Sequence, residues 1–144
     1  MRASNASGTD CTGDTWIEAG GNAFDTGFVY GGGLHEKVLG DWIAARGVAG
    51  DVVVIGKGAH SPYCTPRAIG AQLDISLERL QLPSVPIYIM HRDNPDVPVG
   101  EFVDALNRLK AAGRIGIFGG SNWSVERFAE ANAYAGANGL EPMR

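Results

Sequence analysis

Apolar residues along this chain alternate between two spacings. Four short runs are contiguous, at Asn22–Asp25, Val52–Ile55, Pro86–Met90 and Arg114–Phe118, and each predicts a β-strand. Between them apolar positions recur every three or four residues, the period of an amphipathic helix. Leu34, Val38, Leu39, Trp42 and Ile43 predict a helix from Leu34 to about Arg46, with Gly47 where a terminating glycine belongs. Ile69, Leu73, Leu77 and Leu80 form the buried stripe of a second helix, which opens with Thr65 as N-cap and Pro66 in its first turn and stops before Pro83. A third spans about Val99 to Ala112 ahead of Gly113, and a fourth starts near Ser124 and runs to about Ala135. Residues 1–17 are polar and carry glycine and serine, so they are expected to be an irregular start.

Strands alternating with single helices at intervals of about thirty residues give repeated right-handed βαβ units, hence a parallel sheet in an α/β fold. The β-branched run Val52–Ile55 carries the further expectation of a strand buried on both faces. Two architectures accept this pattern, an open doubly wound sheet and a (β/α) barrel. A complete barrel takes about 250 residues, so 144 supply roughly half of one.

Charge and cysteines narrow the function classes. The 12 basic and 16 acidic side chains give a net charge of −4 and are scattered, which argues against nucleic acid as a partner. No apolar run approaches the roughly 20 residues of a membrane span, and the start lacks the apolar centre of a signal peptide, so a cytoplasmic protein is expected. Cys11 and Cys64 lie far apart without a Cys-x-x-Cys pairing and are expected to be reduced thiols. The sequons at Asn5 and Asn122 would matter only in a secreted protein.

Candidate chemistry sits where the strands end. The first ends in Asp25 with Tyr30 just beyond, the second leads to Lys57, the third to His91, and the fourth through Gly119-Gly120 to Ser121-Asn122. In a parallel (β/α) fold the carboxyl ends of the strands converge on one face, where active sites lie. A phenol with its ordinary pKa of about 10 is a weak proton donor near neutral pH unless a cation stands beside it. Lys57 supplies that cation, Asp25 can hold it, and His91 can donate to a substrate carbonyl. Such a set protonates an oxygen, and hydride must then come from a nicotinamide cofactor, since no side chain carries it.

These residues lie in recognisable blocks. Phe24-Asp25-Thr26-Gly27-Phe28-Val29-Tyr30-Gly31, with Glu36-Lys37-Val38-Leu39-Gly40 behind it, resembles the first signature region of the aldo-keto reductases. Val54-Ile55-Gly56-Lys57, Met90-His91-Arg92 and Gly113-Arg114-Ile115 through Gly119-Gly120-Ser121-Asn122-Trp123 resemble the later blocks, in order. The resemblance covers roughly residues 18 to 142. It implies a TIM-barrel type fold, a catalytic tetrad of Asp25, Tyr30, Lys57 and His91, and nicotinamide carboxamide binding by Ser121 and Asn122. It also implies NADPH, with NADH as the alternative, and a small aldehyde or ketone as substrate. Gly27, His35, Gly120 and Trp123 depart from the family's usual alanine, serine, valine and phenylalanine. The match begins near the end of the first barrel helix and stops before the sixth strand. Residues 1–144 are therefore expected to form a single partial barrel domain of about four βα units, a fragment lacking the first strand and the C-terminal strands. Unpaired sheet edges would then favour self-association.

Other readings fit less well. Gly56-Lys57-Gly58 lacks the Ser/Thr of a phosphate-binding loop and the last glycine of a dinucleotide fingerprint. His60, Cys64 and His91 offer no fourth ligand at customary zinc spacing, so no metal is expected. His60 is expected to be a loop residue, His35 a helix-surface residue, and Trp42 and Trp123 core. A Schiff-base role for Lys57 leaves Tyr30 and Asp25 without tasks. The remaining alternatives are a non-catalytic NADP-binding barrel subunit and an inactive truncated product.

Overall fold

The computed structural model describes residues 10–144. Among the described residues five α-helices alternate with four strands, a 3-10 turn at Tyr30–Gly33 leading into the second helix: α1 (Asp10–Glu18), β1 (Ala23–Asp25), α2 (Leu34–Arg46), β2 (Val53–Gly58), α3 (Pro66–Leu80), β3 (Val85–Met90), α4 (Val99–Ala111), β4 (Ile115–Gly120) and α5 (Val125–Ala137). The strands pair in parallel in the order β1-β2-β3-β4, each beside its successor. Consecutive parallel neighbours joined by single helices are the arrangement of a (β/α) barrel wall, whereas an open doubly wound sheet reverses its strand order. The helix starts follow local chemistry. Thr65 Oγ1 accepts from the Ala68 amide at 3.2 Å and Ser124 Oγ from the Arg127 amide at 3.1 Å.

The helices cover one face of the sheet. Val54, Tyr88, Met90 and Phe118, which point toward them, are almost wholly buried among Ile43, Ile69, Leu73, Phe102 and Leu106. On the opposite face Ile55, Ile87 and Ile89 are half-buried, and Ile117 is 52% exposed. The expectation that Val52–Ile55 is buried on both faces is thereby corrected: β2 alternates, because among the described residues helices pack on only one side.

Two further expectations are corrected. Asp10–Glu18 is helical, against the expected irregular start, and the rest of that segment lies outside the described residues. Tertiary contacts stabilise this short helix, as its own pattern is too weak to do so. Asp14 accepts from Trp42 Nε1 at 3.0 Å and pairs with Arg46 at 2.6 Å, and those two bonds, Arg46's first, hold its carboxyl down at about 2. In α2, Leu34 is exposed, while Glu36 is fully buried against α3, with Arg79 Nη1 2.9 Å from its Oε2. An amphipathic count assigns such a carboxylate to water. The guanidinium supplied by α3 reverses that assignment.

After α5 the chain doubles back. Asn132 bonds both backbone groups of Met143, Met143 is buried, and the Arg144 amide donates to Phe118 O at 2.9 Å, beside β4.

Candidate active site

Strand register places the polar side chains. Asp25 pairs with Ile55, and Lys57 is two residues further along β2, so both project from the same face of the sheet. Lys57 lies inside the strand, one residue before its end. Its ammonium donates to both oxygens of Asp25 and lies 3.4 Å from the Tyr30 hydroxyl and 5.3 Å from the centre of that ring. Lys57 is only 13% exposed, whereas Asp25 is 54% exposed, so the carboxylate shields the ammonium on one side and meets solvent on the other.

Tyr30 reaches Lys57 because the segment after β1 stays attached to β2. The Thr26 amide donates to Ile55 O at 2.9 Å and the Phe28 amide to Lys57 O at 2.8 Å. The glycines at 31, 32 and 33 then turn the chain into α2 with positive φ at each. Arg79 fixes the same segment from α3. It donates to Phe28 O at 3.0 Å, covers the Phe28 ring at 4.7 Å and is itself held by Glu36. Pattern reasoning did not find this clamp. Its signal was a charged residue, Glu36, at a helix position where an apolar one would be buried.

His91 is the first residue beyond β3, and its amide donates to Gly58 O at 2.6 Å. Its ring meets Tyr30 edge to face, 5.4 Å between centres, and meets His60 in the same manner at 4.9 Å. Its Nδ1 is buried without a hydrogen-bond partner. Burial lowers the His91 pKa below the usual histidine value, His60, Lys57 and Arg92 lower it further, and Asp25 opposes them. The shift favours the neutral imidazole over the charged one. His60, expected to be only a loop residue, joins this cluster.

Beyond β4, Asn122 takes a left-handed backbone, φ 61°, and its amide nitrogen donates to His91 O at 3.1 Å and to Ser121 Oγ at 3.0 Å. These bonds use both amide hydrogens and leave Asn122 Oδ1 as an acceptor and the Ser121 hydroxyl hydrogen as a donor. Trp123 packs against Phe102 and Phe128, as a core residue should. A Cβ on Gly120 would lie 3.0 Å from the Trp123 ring. The two unusual residues here thus belong together, the missing side chain seating the indole. Asn122, Gly120 and Trp123 line a pocket of about 390 Å³, and Asp25, Thr26, His35 and Trp42 one of about 520 Å³.

The structure thus gathers Asp25, Tyr30, Lys57 and His91 at the carboxyl ends of β1–β3, with Ser121 and Asn122 at the end of β4. No group of three His, Cys, Asp or Glu side chains suited to a metal occurs among the described residues.

A profile described as the Aldo/keto reductase family matches residues 11–139. The chain is 30% identical over 142 residues to aflatoxin B1 aldehyde reductase member 2 of Rattus norvegicus, a match covering 96% of this chain and 38% of that protein. It is 28% identical over 148 residues to norsolorinic acid reductase of Aspergillus flavus, covering 90% of this chain and 37% of the relative. The chain therefore spans less than two fifths of the length of either.

Proposed function

The chain belongs to the aldo-keto reductase family, and from that premise we propose that it carries the proton-donating half of an NAD(P)H-dependent carbonyl reductase, converting an aldehyde or ketone to an alcohol. One observation carries the reading: the Lys57 ammonium sits between the Asp25 carboxylate and the Tyr30 hydroxyl. A cation beside a phenol stabilises the phenolate left after proton donation, and the carboxylate keeps that cation in place.

In this reading a substrate carbonyl oxygen lies against the Tyr30 hydroxyl and the His91 ring. Tyr30 gives its proton to that oxygen. The neutral His91 offers a ring N–H that orients the carbonyl without adding a second full positive charge beside Lys57. The nicotinamide, when bound, supplies the hydride to carbon. Ser121 and Asn122 fit its carboxamide, because a primary amide presents one carbonyl acceptor and one NH₂ donor, the complement of the free Ser121 hydrogen and Asn122 Oδ1. We assign NADPH as the preferred cofactor on the strength of the family resemblance. The relatives named for reduction of an aldehyde and of norsolorinic acid support a carbonyl substrate in general. The same reading places the chain in the cytoplasm, where Cys64 stays a buried free thiol. No described helix is long and apolar enough to cross a membrane.

The test is fluorescence titration of the protein with NADPH and NADH, followed by aldehyde-dependent cofactor oxidation. Tyr30→Phe should lower turnover by about 10²-fold or more while leaving cofactor affinity unchanged. Binding without turnover would favour the non-catalytic NADP-binding reading. Neither binding nor turnover would overturn the proposal for this chain.

A further inference from the structure

The segment that follows Lys57 is built to place one side chain. At Gly58 no side chain fits, because a Cβ would lie 2.1 Å from the Tyr88 hydroxyl. Ala59 is fully buried in a left-handed backbone, φ 58°, a conformation that residues with a Cβ rarely adopt. What holds it there is Gln72, a buried residue of α3 whose Oε1 accepts from the Ala59 amide at 2.7 Å. The next residue is His60. Its Nδ1 lies 2.9 Å from Ser61 O, and since a carbonyl oxygen only accepts, that nitrogen carries a proton. One end of the imidazole is thereby tied to its own backbone, and the ring stands edge to face with His91, centres 4.9 Å apart and planes at 86°.

We propose that His60 is a positioning residue of this site, which braces the His91 ring against Tyr30 and disfavours a second positive charge there. This rests on the reading of His91 as the group that meets the substrate oxygen. Tyr30, His91 and His60 form a row of three rings, each pair edge to face, with His91 in the middle. An edge-to-face pair keeps a preferred angle, so contact on both sides restricts the rotation of the central ring. His91 has little else to orient it, since its Nδ1 is buried and bonds to nothing.

Charge acts in the same direction. The groups that act on His91 are Lys57 on β2, Asp25 on β1, Arg92 on its own segment and His60 on the segment after β2, with the Tyr30 ring packed against it. Three of these are cationic or can become so, and Asp25 is already engaged by Lys57. Replacing His60 therefore removes one of the groups that lower the His91 pKa.

Histidine-labelled NMR on the 144-residue chain tests this without any assay of turnover. In His60→Ala, the His91 ring should titrate at higher pH than in the wild type, and its contacts to the Tyr30 ring should weaken. His60→Phe keeps an aromatic brace and removes the charge. It should restore the Tyr30–His91 contact while leaving the His91 titration high. A merely structural loop residue would not separate these two readouts. The proposal is overturned if His60→Ala leaves either the His91 titration or its Tyr30 contact unchanged, or if His60→Phe fails to restore that contact. Those results leave cofactor binding and the Tyr30 variant untouched, so failure here is distinguishable from failure of the reductase reading.

Discussion

The Tyr88 hydroxyl fills the place where a side chain at Gly58 would begin. A Cβ there would stand 2.1 Å from the oxygen, and the ring is 1% exposed with no room to withdraw. Burial, with Glu36 and Cys64 adding to it, pushes the Tyr88 phenol up, so it stays protonated. Gly58→Ala should therefore cost about 1–3 kcal/mol, the usual penalty for overpacking a rigid core. Tyr88→Phe alone should be close to neutral, because the hydroxyl has no hydrogen-bond partner to lose. Combined, the two should recover much of the loss. Urea unfolding of the four proteins checks this, and a strictly additive double variant would show that the clash is relieved elsewhere.

The Glu36–Arg79 pair makes a separate prediction. Glu36 is fully buried and Arg79 mostly so, so Arg79→Met leaves a carboxylate without its cation. Loss of one partner of a buried pair costs about 3–5 kcal/mol, while replacing both by apolar residues is far milder. Arg79→Met should thus be much less stable than Glu36→Leu/Arg79→Met. Because Arg79 also holds Phe28 O, its loss should speed amide hydrogen exchange in the segment leading to Tyr30.

The pH dependence follows from His91. Its pKa is lower in the folded chain than in the unfolded one, so below the ordinary histidine value the unfolded chain binds more protons. Stability due to this residue is present at neutral pH and is lost as pH falls toward the folded value. The melting temperature should decline between about pH 7 and pH 5, and His91→Phe should flatten that decline. A variant with the same slope as the wild type would remove His91 as the cause.

The uncovered sheet face yields the fourth expectation. Ile55, Ile87, Ile89 and the 52% exposed Ile117 share it, and nothing among the described residues packs over Ile117 from a helix. We propose that copies of this chain associate through that face. Sedimentation velocity should show an association that rises with concentration, and Ile117→Lys should weaken it. A monomer at all concentrations would refute this.

Much of this architecture is legible in the sequence, for reasons the residues make plain. Contiguous β-branched runs and spaced apolar stripes put every strand and four of the helices within a few residues of their places. Lys57 and His91 stand out in the sequence as polar residues at the ends of apolar runs, and the structure brings both beside Tyr30. Helix α1 was missed because its stability comes from Asp14, Trp42 and Arg46, residues up to 32 positions apart. Glu36 was missed because a count of apolar positions cannot know that α3 will present an arginine. Leu34 was misassigned because it opens α2 directly after the glycine turn at 31–33, where its side chain stays in solvent. The His60 contact could not be read at all. It depends on a left-handed alanine that no local rule anticipates.

The candidate site residues hang from one end of the sheet, and among the described residues the turns at the other end are free of that duty. Those turns join α2 to β2, α3 to β3 and α4 to β4, and a side chain at Gly50 would meet no atom within 4 Å. The molecule therefore has a working rim and a handle. A fluorophore, an affinity tag or an inserted peptide carried at Gly50 sits a full strand length from Lys57, and the handle can be elaborated without touching the chemistry.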